Sequence, residues 1–383
     1  MTRLRRLRDD ESGMSYVFIG VGMMAFLSAS MLAIDVGMLM TSRNQAQNSA
    51  DAAALGGATA LVFDDFNDRS PSGPVVTSAL RGAQQNQVMG VAVSVTPADI
   101  QFPNDPNGEP NRVRATVYRT TARGNAVSTL IARFFGMETA DIVATATAEA
   151  SPANAMTCVK PFTIPDRWIE NQTPPWDSND TFDLFDKKGK PLANPDRYSP
   201  ATEADYTGYN AVRDKGMLVT LKSDNSTNIA PSFYFPWAIP GSSGGDDYRW
   251  NIGNCNQTVM PFGAMMDPEP GNMVGPTDQG MEDLIARDPS AYWNTGTNEV
   301  VSTMHPSPRV VIIPLFDPVF YETGKQNSRN ADLKVANYLG FFIERMRGRE
   351  VEGRITPVSG LRKGSGFGPA PVGAFPKAIR LVQ

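Results

Sequence analysis

Residues 12–62 read "SGMSYVFIGVGMMAFLSASMLAIDVGMLMTSRNQAQNSADAAALGGATALV", and the way this stretch is taken decides the fold. From Ser12 to Ile34 it carries no charge. At ~1.5 Å per residue, such a run crosses a ~30 Å hydrocarbon core as a single helix. Arg3, Arg5, Arg6 and Arg8 stand on its N-terminal side. Basic residues on one flank put the N-terminus in the cytoplasm and everything after Asp35 outside. A cleaved signal peptide is the competing reading, because Ser28-Ala29-Ser30 is a small-x-small site. Signal-peptide apolar cores span ~7–15 residues, and this run is longer. A retained single-pass anchor is therefore expected. Nothing later in the chain is apolar enough to span again.

Past Asp35 there is no helix breaker until Asp64-Asp65 and Pro71. Gly56 and Gly57 each cost ~1 kcal/mol relative to Ala, which the many alanines offset in part. The spacing predicts one unbroken helix over 12–62, ~70 Å long, in which a stalk continues the anchor. Ala46, Ala50, Ala53, Ala54, Gly57 and Ala58 recur every three or four residues and make a small-residue face. Such a face admits close approach by another helix, or packs beneath the protein's own globular part. Sequence leaves both open.

Asp35 and Gly37 in "AIDVGMLM", then Arg43, Gln47, Asn48 and Asp51 in "SRNQAQNSADAAALGGA", stand in a definite order. The segment resembles the N-terminal part of TadG-like and TadE-like proteins of the Tad/Flp (tight adherence) pilus system of bacteria. That pattern runs acidic-x-Gly near the end of the anchor, a basic residue, Gln-Asn, then Ala-Asp-Ala-Ala-Ala-Leu. Ala50, Ala52, Ala53, Ala54, Leu55 and Ala58 complete the match. The likeness is strong over residues 10 to 60 and recognisable to about 150. It implies a non-enzymatic, membrane-anchored protein of the pilus or a related secretion apparatus. The implied site is the inner membrane, the bulk is exported, and partners are met through the N-terminal helix.

Two departures limit what carries over. Pilins of this system are cut after a Gly, with a Glu five residues into the mature chain. Here Gly13 precedes "MSYVF", so Phe18 holds that place and processing is not expected. Several TadG-like proteins carry a von Willebrand A module with a D-x-S-x-S metal motif. The nearest approach is Asp224, Ser226 and Asn228, with Asn in the last position. An exposed polar turn explains the same residues.

The chain's 383 residues leave room for two domains. A net charge of −5 argues against a nucleic-acid partner, which would favour a basic face. His305 is the single histidine, which removes most hydrolase chemistry built on a His base. Cys158 and Cys255 fall in the exported part, where a lone pair is most simply a disulfide. Two separate buried thiols are the competing reading.

The expected class is α+β, in three parts: anchor and stalk over 1–62, a small α+β domain over 64–150, and a β-rich domain over 155–383. The small domain is read as a helix from Val75 to Met89, strands at "VAVSVTP", "RVRATVYRT" and "ADIVATATAEA", and a short helix in "NAVSTLIARFF" capped at Gly136. In the larger part the candidate strands are "GMLVTL", "SFYFPWAI", "EVVSTM", "RVVIIPLF", "KVANYLGFFIERM" and "EVEGRITPV". The last two are expected to pair as a hairpin around "RGR". One clear helix is expected near 277–288, with Thr277 as N-cap and Pro289 as the stop. "GSGFGPAPVGAFP" reads as a flexible or wrapping tail.

Little chemistry is legible. Asp177, Asn179 and Asp183 alternate as Ca²⁺ ligands would, but an EF-hand loop needs a Gly and a Glu where Phe182 and Lys188 stand. Asp105 and Asn107 fit a hairpin loop, and His305 a surface loop. Trp168, Trp176, Trp237, Trp250 and Trp293 read as core anchors. No catalytic, cofactor or metal residue is nominated, and no cofactor is expected. A surface-binding or adhesin-like module on the same anchor, Ca²⁺-assisted or not, is the alternative to the pilus reading.

Overall fold

The computed structural model describes residues 12–64, 68–177, 179–223, 229–326 and 333–382. The Arg-rich tip and the Asp224, Ser226 and Asn228 turn lie outside the described residues. The chain forms two compact units: Met1–Ala58 with Asp68–Glu149 and Leu381–Gln383, and Thr59–Asn67 with Ala150–Arg380.

The first unit is organised by α1, one unbroken helix over Ser12–Phe63. Every described side chain from Met14 to Ile34 is exposed, and burial begins abruptly at Asp35. Helix α2 (Pro74–Gln85) starts on a proline, whose missing N–H costs nothing in a first turn. Val75, Val76, Ala79 and Ala83 form its buried face. It stops short of the expected Met89, because the chain turns tightly at Met89-Gly90, both at positive φ, and pairs Gln87–Val88 with Val91–Ala92. "VAVSVTP" is thus only a two-residue strand, followed by a single bridge from Ser94 to Tyr118.

Strands β1 (Ile100–Gln101), β2 (Arg112–Arg119) and β3 (Ile142–Pro152) form an antiparallel sheet, flanked by the chain's last strand. The β2–β3 register runs from Arg112↔Glu149 to Arg119↔Ile142. Val113, Ala115 and Val117 on β2 face inward with Ala144, Ala146 and Ala148 on β3, as period-2 alternation requires. The expected helix in "NAVSTLIARFF" is absent. Val127–Ser128 pairs with Thr139–Ala140, and only Ala132–Phe135 coils, as a 3-10 turn closed by Gly136 at φ 85°.

In the second unit the strands are β4 (Phe162–Pro165), β5 (Leu218–Leu221), β6 (Phe235–Ala238), β7 (Met265–Pro268), β8 (Val310–Phe316), β9 (Leu333–Arg347) and β10 (Glu350–Ile355). Their order is β5-β10-β9-β7-β6-β4-β8, and β8 pairs again with β9. Five of the seven therefore close into a ring, which leaves no free edge among them. Closure explains why "VVIIPLF" is so apolar: Val311, Ile313, Leu315 and Phe316 are all buried. The hairpin at "RGR" forms with Arg347 opposite Glu350 and Gly348 at φ 63°.

Among the described residues three helices belong to this unit, where one was expected. Helix α3 (Gly245–Gly253) and α5 (Pro318–Gln326) are additions. Helix α4 spans Val274–Arg287, four residues earlier than Thr277 as N-cap would start it, and Met273 is its N-cap residue. Thr277 lies inside the helix, where its hydroxyl donates to Tyr248 Oη at 3.3 Å. Pro276 is tolerated in the first turn. Trp168, Trp237 and Trp293 are buried as expected, whereas Trp250 is 54% exposed on α3. The tail wraps: Ala374 and Phe375 are buried, and Asn337 Oδ1 accepts the Phe375 N–H at 3.0 Å. It ends in a strand that was not foreseen, β11 (Lys377–Val382).

Candidate functional site

The motif on α1 divides by depth. Asp35 is 2% exposed, and its carboxylate accepts the N–H groups of Leu130, Ile131 and Ala132 at 2.8, 2.8 and 2.6 Å. These are the unsatisfied donors at the start of the 3-10 turn, and an anion is the natural partner for them. Ser42, Ala46, Ser49, Ala50, Ala53, Ala54 and Ala58 continue the buried side of the helix. Gln47 lies at its margin, donating to Asp51 Oδ1 at 2.8 Å and to the Thr145 carbonyl at 3.3 Å.

The small-residue face is covered by the protein's own α2 and sheet. A Cβ on Gly82 would lie 2.6 Å from the Ala52 carbonyl oxygen, and one on Gly57 would lie 2.7 Å from Val113 Cγ1. Ser49 Oγ also donates to the Ala83 carbonyl at 2.8 Å. Here small residues let two backbones approach within one unit. Gly37, Arg43 and Asn48 are exposed, with nothing within 4 Å of where a Gly37 Cβ would stand.

A second group of polar side chains gathers in the second unit, at the end of α1. Lys215 Nζ donates to the Phe63 carbonyl at 2.7 Å and so caps the helix. Asp64 faces Glu299 in a cleft of about 390 Å³, which Ser302 and His305 also line. Burial pushes the Asp64 carboxyl above its ordinary range and the neighbouring Glu299 adds to this, while Lys215 opposes it. The contacts join residues far apart in sequence, and no local pattern announced them. His305 is exposed, as a surface-loop residue would be.

Cys158 and Cys255 are joined in a disulfide beside the end of α3. Lys160 Nζ donates to the carbonyls of Asn251, Ile252 and Asn254 at that same helix end, at 3.3, 2.6 and 2.9 Å. Burial brings its pKa down to about 7. Asp177 and Asp183 hold turns instead of converging: Asp177 Oδ1 accepts the Asn179 N–H and Asp183 Oδ2 the Thr181 hydroxyl. Asp105 likewise organises its hairpin loop, accepting the N–H groups of Asn107 and Glu109. Among the described residues no group of three or more His, Cys, Asp or Glu could hold a metal ion.

Residues 13–60 match the Tad family model, described as Flp pilus-assembly TadE/G-like. The match lies within α1 and includes every motif residue from Asp35 to Asp51. No curated protein and no solved structure matches the chain.

Proposed function

We propose that this is a non-enzymatic envelope protein of a Tad/Flp-type pilus apparatus, held in the inner membrane by the apolar half of α1 with both units exported. The observation that carries the reading is the Tad match over 13–60, falling on a helix apolar enough to span a membrane. A division of labour within the motif supports this reading. Asp35 and the alanines fasten α1 to its own small unit, which leaves Gly37, Arg43 and Asn48 as the motif positions open to a partner. Partner contact in this reading is helix to helix, at those exposed positions, and the small unit makes the exported stretch of α1 rigid.

The test is photo-crosslinking in the native bacterium from single positions on α1. Residues 37, 43 and 48 should capture pilus-assembly components, while positions 50 and 53 should give only contacts within the chain. Capture that is equal from both sides, or absent from 37, 43 and 48, overturns the proposal. A cell lacking the protein should also fail to assemble or anchor pili.

A further inference from the structure

The hairpin tip of residues 129–138 turns large apolar side chains to solvent: Leu130, Phe134, Phe135 and Met137 are 52%, 73%, 71% and 58% exposed. A tip facing only water has no reason to carry four such residues within eight positions. It is also firmly built. Thr129 donates its N–H to the Glu138 carbonyl at 3.1 Å and its hydroxyl to the Met137 carbonyl at 2.5 Å. The backbone between them is gripped by Asp35 through three hydrogen bonds.

That grip fixes the height of the tip. Asp35 follows directly on the uncharged run ending at Ile34, and no described side chain of α1 before Asp35 is buried. The tip is therefore the edge of the small unit nearest the apolar half of the helix. Counted from Ser12, that half is long enough to cross a ~30 Å hydrocarbon core, which sets Asp35 at the level of the lipid headgroups.

We propose that residues 130–137 enter the headgroup layer of the exported leaflet. Phe134, Phe135, Leu130 and Met137 lie among the upper acyl chains and glycerol groups, and Arg133 meets lipid phosphate. The Arg133 guanidinium stands 5.2 Å from the Phe134 ring, a pairing of basic head and apolar body suited to an interface. Glu138, the nearest acid in sequence, lies beyond the apolar four. The occupant is lipid because the apolar surface of the tip continues that of α1 at the same level. The inference rests on the anchor reading. Its consequence is mechanical: a single helix in a bilayer is free to tilt, and a second, off-axis contact at the headgroup level limits that tilt. The exposed motif residues are thereby held at a fixed height above the membrane.

The experiment uses the full chain in phosphatidylglycerol/phosphatidylethanolamine vesicles, with a genetically encoded dansyl amino acid at position 134, 107 or 24. This leaves the Cys158–Cys255 disulfide undisturbed. Lipids carrying a nitroxide near the headgroup should quench position 134 several-fold more than position 107, with blue-shifted emission at 134. Mid-chain nitroxides should quench position 24. Equal emission and quenching at 134 and 107, with 24 quenched, overturns the proposal and leaves the anchor standing. If 24 is also untouched, anchor and proposal fall together.

Discussion

Asp35 and Asp166 are both buried acids, and their surroundings give them different consequences. Asp35 is held by three backbone N–H groups, so replacing it removes the one acceptor that serves all three. Asp35→Ala should lower the melting temperature of the first unit by several degrees and raise amide exchange at residues 130–132, with Asp35→Asn in between. Unchanged exchange there would mean that the tip is held by other contacts. Asp166 is fully buried in the second unit, where the hydroxyls of Tyr198 and Tyr206 donate to it at 3.0 and 2.8 Å. Burial nevertheless pushes its carboxyl up to about 6. The folded chain then keeps a proton that the unfolded chain releases near pH 4. Its stabilising effect is complete below that pH and is lost as pH rises to about 6. Wild type should therefore lose up to ~3 kcal/mol across this window relative to Asp166→Asn, by denaturant titrations at stepped pH. A difference between the two that does not change with pH would disprove the assignment.

At the scale of elements, the glycines of α1 and α2 separate packing from function. Gly82 meets backbone atoms of α1, which cannot step aside. Gly82→Ala should destabilise the first unit by ~1–3 kcal/mol through overpacking. Gly37 meets nothing, and an exposed helical Gly→Ala change should gain up to ~1 kcal/mol in thermal or denaturant unfolding. If Gly37→Ala stabilises the fold yet impairs pilus assembly, the glycine serves an outside contact. Elements of this kind also mark how far the sequence could be read. The long helix was legible because its composition changes sharply at Asp35 while its helix-forming character does not. Strands β2, β8, β9 and β10 were legible from alternation or continuous apolarity. Helix α3 was not, since its "DDYRWNIG" sits among glycines and asparagines and is stabilised by packing against α4. The supposed helix at 125–135 failed because strand pairing at 127–128 and the pull of Asp35, 95 to 97 residues away, outweigh local propensity. The buried role of Asp35 was likewise hidden, and the covering of the alanine face was one of two readings the sequence left open, as both depend on which segment returns to the helix.

For the whole molecule, the disulfide gives the two units different sensitivities. Cys158 and Cys255 are 97 residues apart and both belong to the second unit, so the bridge restricts the unfolded state of that unit alone. A loop of that size contributes up to ~4–5 kcal/mol in the chain-entropy account. The first unit is held instead by the seam between α1 and α2 and by the sheet against them, none of which contains a cysteine. Reduction, or replacement of both cysteines by serine, should therefore speed amide exchange across β4, α3 and the strands around them. Protection of α1 between Ser42 and Ala58 should stay as it was. Alkylation of the native, unreduced protein followed by mass spectrometry should find both cysteines unmodified. Equal loss of protection in both units would mean that they unfold as one cooperative body, and the rigidity of α1 would then depend on the oxidation state of the second unit.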